Sequence, residues 1–142
     1  MSRRVRVLFL CTHNSARSQM AEGLLRHLGG DGFEAHSAGT EATRVRPEAV
    51  AVMAELGADI SSQESKTLHR YLGERFDYVI TVCDAANESC PAFPGARRRL
   101  HWSFEDPSRA TGSEEERLTA FRRVRDGLRE RIEAELLGED PG

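Results

Sequence analysis

The stretch Val5-Arg6-Val7-Leu8-Phe9-Leu10 is apolar on both faces: Val5, Val7 and Phe9 on one, Leu8 and Leu10 on the other. A strand of that kind belongs in the middle of a parallel sheet covered on both sides. Parallel neighbours need crossovers, so the rest of the chain must alternate strands with helices, and it does. Ser18–Leu28 reads as a helix with Met20, Leu24 and Leu28 on one face, stopped by Gly29-Gly30. Phe33–Ser37 is a short second strand. Pro47 opens another helix that ends at Gly57. Leu68, Tyr71 and Leu72 mark a short third one. Asp77–Val82 is a clear strand and Arg99–Trp102 a weaker fourth. The last helix starts at Ser113, with Glu116 closing a capping box. Its buried stripe is Leu118, Phe121, Val124, Leu128, Ile132 and Leu136.

A chain of 142 residues fits one domain, here 1–138, with 139–142 as a frayed tail. The expected fold is α/β: a four-stranded parallel sheet with helices on both faces and right-handed crossovers. Charged residues are 30% of the chain and the net charge is −3, which argues against a nucleic-acid binder. No apolar run approaches the ~18 residues of a membrane span, and the short run at Val5–Leu10 does not suit a signal peptide. The expectation is a cytoplasmic protein, monomeric, with no nucleic-acid or membrane partner. In a reducing compartment its three cysteines are not a structural framework and call for a chemical explanation.

In such sheets ligands bind at the C-terminal ends of the strands. The segments after Leu10, Val82 and Trp102 therefore converge, and each carries chemistry. Cys11-Thr12-His13-Asn14-Ser15-Ala16-Arg17-Ser18 joins a buried strand to a helix. Positions 12–17 can turn their amide N–H groups inward and, with the helix N-terminus behind them, cradle a tetrahedral oxyanion. Arg17 can add a two-pronged clamp. The same positive surroundings favour Cys11 as a thiolate nucleophile, Ser18 can hydrogen-bond it, and Asn14 can brace the loop.

Cys83 emerges from its strand at the same sheet edge, and Cys90 lies seven residues on, before Pro91. In a regular helix two such residues stand about 10 Å apart, so pairing requires local unwinding. Asn87, Ser89 and Pro91 make the segment a poor, easily opened helix. Inert thiols and a zinc site with His101 are the competing readings, the latter short of ligands. Asp106 precedes Pro107, whose ring biases it to extended geometry and can hold its carboxylate at a pocket mouth. There it could serve as general acid, or simply as a turn residue.

The loop from Cys11 to Ser18 resembles the active-site loop of low-molecular-weight protein tyrosine phosphatases. Extended through Gln19-Met20-Ala21-Glu22, it is more similar to the thioredoxin-coupled arsenate reductases on that fold. The likeness runs over nearly the whole chain. Phosphatases usually carry Pro where Gln19 stands; His13 replaces a common Gly, and Ala16 a common second Cys. The resemblance implies Cys11 as nucleophile, Arg17 as clamp, Asp106 as general acid, and a loop of Thr12, His13, Asn14, Ser15, Ala16, Arg17 and Ser18 around the anion. It further implies a relay Cys11, Cys83, Cys90 that ends as a Cys83–Cys90 disulfide reduced by thioredoxin, an external reductant with no bound cofactor. Phosphatases of this type follow their Asp-Pro with aromatic residues, whereas Ser108-Arg109-Ala110 follow here, which disfavours phosphotyrosine. Some relatives hold a monovalent cation behind the loop. Asn14, Glu22 and Ser37 match part of that set, and the Lys66 ammonium could replace the ion, so no metal is expected. Arsenate reduction is the leading expectation, with weak residual phosphatase activity. A phosphatase with incidental cysteines and a non-catalytic redox or oxyanion sensor are the alternatives.

Overall fold

The computed structural model describes residues 4–84, 88 and 90–138. The expectations for Asn87 and Ser89, and for the tail at 139–142, lie outside the described residues. Strand β1 (Val5–Cys11) is followed by helix α1 (Arg17–Gly29), strand β2 (Phe33–Gly39) and helix α2 (Pro47–Ala54). Strands β3 (Phe76–Thr81) and β4 (Ala96–His101) come next, and helix α3 (Glu114–Ile132) runs into a π turn at Glu133–Leu137. The sheet has the order β2-β1-β3-β4 and every pair is parallel. The chain thus leaves β1 toward one edge and returns to its other side for β3. That reversal opens a crevice beyond the C-terminal ends of β1 and β3.

The two faces of β1 divide as the alternation predicts. Val7 and Phe9 join a core with Met20, Leu24 and Leu25 of α1, Val52 and Met53 of α2, and Phe121, Val124, Leu128 and Ile132 of α3. Leu8 and Leu10 face the other way, against Tyr71, Phe76, Val79 and Phe93. All three α-helices feed the first core. Among the described residues, the helical cover on the second face is one 3-10 turn, Leu68–Tyr71, aided by the segment bearing Phe93. The short third helix thus stays a single turn, since the tight geometry of 3-10 structure rarely extends.

Two helix ends follow their sequence signals. α1 stops at Gly30, whose φ of 56° suits a residue without a Cβ. At α3, Ser113 Oγ accepts from the Glu116 amide and the Glu116 carboxylate accepts from the Ser113 amide, each at 3.1 Å. β4 begins three residues earlier than its hydrophobicity suggests. Ala96, Arg97 and Arg98 precede the expected Arg99–Trp102 strand, but β4 is an edge strand, where charged side chains are tolerated and discourage further pairing. Arg98 lies over the Tyr78 ring at 5.3 Å, and Arg99 donates to the carbonyls of Phe93 and Pro94. Among the described residues no helix is long and apolar enough to cross a membrane.

Candidate active site

The loop after β1 is held from behind by buried polar side chains. Asn14 is fully buried, and it is the one non-glycine among the described residues with positive φ, 49°. Its short amide side chain tolerates that region better than most. Its Nδ2 donates to Ser18 Oγ at 2.8 Å and to Ser37 Oγ at 3.0 Å. Its Oδ1 accepts from the Lys66 amide at 2.8 Å and from Gln19 Nε2 at 2.9 Å. One side chain therefore ties the loop to α1, β2 and the segment before the 3-10 turn. His13, expected in the loop, places its ring outward, with Nδ1 3.3 Å from Glu41. Its carbonyl accepts from Thr43 and Ser65 hydroxyls, so it contributes backbone rather than side chain. Gly39, paired with Cys11 across β1 and β2, has a local reason to be glycine. A Cβ there would lie 2.7 Å from the Thr12 carbonyl and 2.8 Å from the Asn14 amide.

Cys11 ends β1 as a free, buried thiol, its Sγ 2.8 Å from Ser18 Oγ. Ser18 therefore links the sulfur to Asn14. Ala16 precedes α1 without a side-chain cap, so the first amides of the helix carry no competing side-chain acceptor there. Arg17, only 3% exposed, folds back over the loop mouth. Burial works against its charge. The bond to Glu88 and the nearness of Cys11 and Asp106 outweigh that cost, and its pKa is raised. Asp106 lies at the same mouth, one carboxylate oxygen 3.9 Å from Arg17 and the other accepting from the Ser108 amide at 2.9 Å. Pro107 starts a 3-10 turn there, which holds the Asp106 backbone extended.

The third cluster arrives from β3. The Val82 amide donates to the Leu10 carbonyl at 2.9 Å, so Cys83 and Cys11 are the next residues along two adjacent chains. Cys83 is fully buried and bonded to Cys90, with Cα atoms 5.9 Å apart. That separation is well short of two helical turns, as the spacing argument requires for pairing.

Behind the loop, Ser37 Oγ donates to Glu22 at 2.6 Å. The Lys66 ammonium lies 3.6 Å from that same carboxylate and donates to the Glu64 carbonyl at 2.8 Å. Burial pushes the Lys66 pKa down, against the pull of Glu22. The Lys66 ammonium and the Ser37 hydroxyl thus share the Glu22 carboxylate.

Two contributions were not legible in the sequence. Gln19 is fully buried and bonds Asn14, the Glu64 carbonyl and Gln63, closing the network under the loop. The departure from Pro at that position was the available signal. Glu88 reaches Arg17 and Thr12, and no local pattern around an acid in a polar segment announces that contact.

A free thiol at a strand end, an uncapped helix start with a buried arginine and an Asp-Pro at the rim are arranged as in a phosphatase-type site on a doubly wound sheet. The sequence model for low molecular weight phosphotyrosine protein phosphatases matches residues 6–139, and the chain belongs to that family. Within the family, it is similar to arsenate reductases. One from Halalkalibacterium halodurans is 48% identical over 126 residues, 89% of this chain and 91% of the relative. A solved arsenate reductase in its phosphate-binding state superposes with a TM-score of 0.81 at 34% identity, covering 96% of this chain and 99% of that one. The thioredoxin-dependent arsenate reductase of Corynebacterium glutamicum gives a TM-score of 0.66 at 29% identity, covering 97% of this chain and 65% of that one.

Proposed function

We propose that this chain reduces arsenate to arsenite with electrons from thioredoxin, passed through Cys11, Cys83 and Cys90. Arsenate, a tetrahedral oxyanion, binds the amides of Thr12 to Ser18, with Arg17 on two of its oxygens. The Cys11 thiolate attacks arsenic while Asp106 protonates the departing oxygen, leaving a Cys11–arsenic bond. The Cys83 thiolate then attacks the Cys11 sulfur. The sulfur–arsenic bond breaks with its electron pair on arsenic, which leaves as arsenite, and a Cys11–Cys83 disulfide remains. Cys90 attacks Cys83 and releases Cys11 as thiolate. A thioredoxin dithiol finally reduces Cys83–Cys90 and is itself oxidised.

One observation carries this reading: Cys83 is disulfide-bonded to Cys90 while Cys11, at the end of the adjacent strand, is free. That is the state the relay leaves before thioredoxin acts. The Val82–Leu10 backbone contact supports the order, because Cys83 follows β3 at the sheet edge where Cys11 ends β1, and Cys90 lies seven residues further on. Arg17, Asp106 and Ser18 then act in the first step, and Asn14 and Lys66 keep the cradle in shape. The same nucleophile, clamp and acid would also hydrolyse an aryl phosphate slowly, without the aromatic residues that would hold its ring.

Arsenate added to the protein with thioredoxin, thioredoxin reductase and NADPH should drive NADPH oxidation matched mole for mole by arsenite. NADPH consumption that ignores arsenate, or that persists without thioredoxin, would refute the reading.

A further inference from the structure

In the disulfide form the anion clamp is already in use. Arg17 Nη1 donates to one Glu88 oxygen at 3.0 Å and Nη2 to the other at 2.9 Å, a two-pronged guanidinium–carboxylate pair. Thr12 Oγ1 donates to the same carboxylate at 2.8 Å. Arg17 spends a further N–H on the Phe104 carbonyl at 3.1 Å. The carboxylate thus takes the parallel N–H pair that an oxyanion would need, and it takes a loop hydroxyl as well. The space left between Thr12, His13, Arg17, Glu88, Asp106 and Arg109 is about 100 Å³. Glu88 stands two residues from Cys90, inside the ring closed by the Cys83–Cys90 bond, and its amide donates to the Asp84 carbonyl at 2.9 Å.

We propose that Glu88 is a specificity-determining residue of the catalytic cycle: an internal carboxylate that occupies the oxyanion cradle while Cys83 and Cys90 are bonded, and yields it when they are reduced. The proposal rests on the reading of the Arg17 loop as an oxyanion cradle. The chemistry gives the contact a purpose. Once Cys83 is paired with Cys90, Cys11 is again a free thiol. An arsenate bound at that moment could still be attacked by Cys11, but Cys83 would hold no thiolate to resolve the adduct. A carboxylate on Arg17 excludes the anion by occupying the donors and by repelling its negative charge. Reduction opens the ring that holds Glu88 near the mouth, and so couples substrate entry to the dithiol state that can complete the reaction.

Phosphate is the probe, because thiols do not reduce it and binding is read apart from turnover. It is titrated calorimetrically into the disulfide and dithiol forms, verified by thiol count, of the wild type, Glu88→Gln and Glu88→Ala. Losing a charge-assisted competitor is expected to matter by about tenfold. Wild-type disulfide protein should therefore bind phosphate about tenfold more weakly than the dithiol form. Both variants should close most of that gap, by tighter binding to the disulfide form. Equal wild-type affinities, a gap that survives in both variants, or no phosphate binding to either wild-type form would each overturn the proposal. Failure of the arsenate reading shows differently: NADPH oxidation would not respond to arsenate even with the redox-dependent phosphate gap intact.

Discussion

The cradle loop and the cysteine segment meet at one sheet edge but are built on opposite principles. In the cradle, Asn14, Arg17, Ser18 and Gln19 are all buried; Ser18 and Gln19 bond Asn14, and Asn14, Arg17 and Gln19 reach Ser37, Phe104 and Glu64 elsewhere in the fold. Such a network fixes the loop geometry, as the proposed oxyanion binding would need before the anion arrives. In the described part of the cysteine segment, the Cys83–Cys90 bond and the Asp84–Glu88 backbone contact tie the segment to itself, and Glu88 reaches the cradle. These are contacts that a change of redox state can remove. In the proposed relay, preorganisation would serve the first chemical step, and a removable tether a sulfur that must change partners.

The largest effect should come from the rigid side. Cys11→Ser should abolish arsenate turnover in the coupled thioredoxin assay, because a hydroxyl of far higher pKa cannot replace the thiolate. Any measurable steady-state rate would remove Cys11 from the role of nucleophile. Cys90→Ser tests the tethered side and should fail differently. It should release one equivalent of arsenite and then stop, with Cys11 and Cys83 joined in peptide maps. Repeated turnover at the wild-type rate would show that the reductant acts without Cys90. Asp106→Asn should slow the first step by about 10²–10⁴-fold in single-turnover experiments. A near-normal rate would leave Asp106 as a turn residue only.

Smaller effects probe the support under the cradle. Asn14→Ala removes four hydrogen bonds and places a Cβ-bearing residue without a polar side chain at positive φ. A loss of about 3 kcal/mol is expected in urea unfolding. Asn14→Gly, free of the backbone penalty, should lose less, and equal losses would show that backbone strain does not matter there. Lys66 gives the smallest signal and a defined sign. Its folded pKa lies below the ordinary 10.5 because of burial. Between that lowered value and 10.5 the unfolded chain binds more protons, so stability rises with pH across the window. The Lys66 cost is present in full below the folded pKa and is relieved as pH rises. Unfolding midpoints of wild type relative to Lys66→Met should therefore shift in favour of the wild type as pH climbs toward 10.5. A flat difference would show that burial of the ammonium carries no net cost.

Much of this was legible in one dimension because the controlling signals are local. The two-faced strand at Val5–Leu10 demands burial on both sides. The capping box at Ser113 and Glu116 satisfies helix-end donors within four residues. The Cys11–Ser18 loop packs nucleophile, amides and guanidinium into a single strand-to-helix turn. What failed locally failed for a tertiary reason. Ala96, Arg97 and Arg98 joined β4 ahead of the predicted Arg99 because an edge strand accepts charge, and whether a strand is an edge depends on its neighbours. The helix expected near Leu68 stayed a single turn on a face that shares its cover with Phe93.

The amino-acid order by itself determined the element sequence, the strand-to-helix loop from Cys11 to Ser18, and the two cysteines whose spacing forces a bend if they pair. Only the tertiary structure decided what lies across the crevice from what. Sheet order put the residue before Cys83 in backbone contact with the residue before Cys11. Burial set the Lys66 ammonium beside Glu22. The ring closed by Cys83 and Cys90 brought Glu88 onto Arg17. Each of these is a contact between residues far apart in sequence, chosen by which surfaces the sheet brings together, and no periodicity or motif along the chain encodes such a choice.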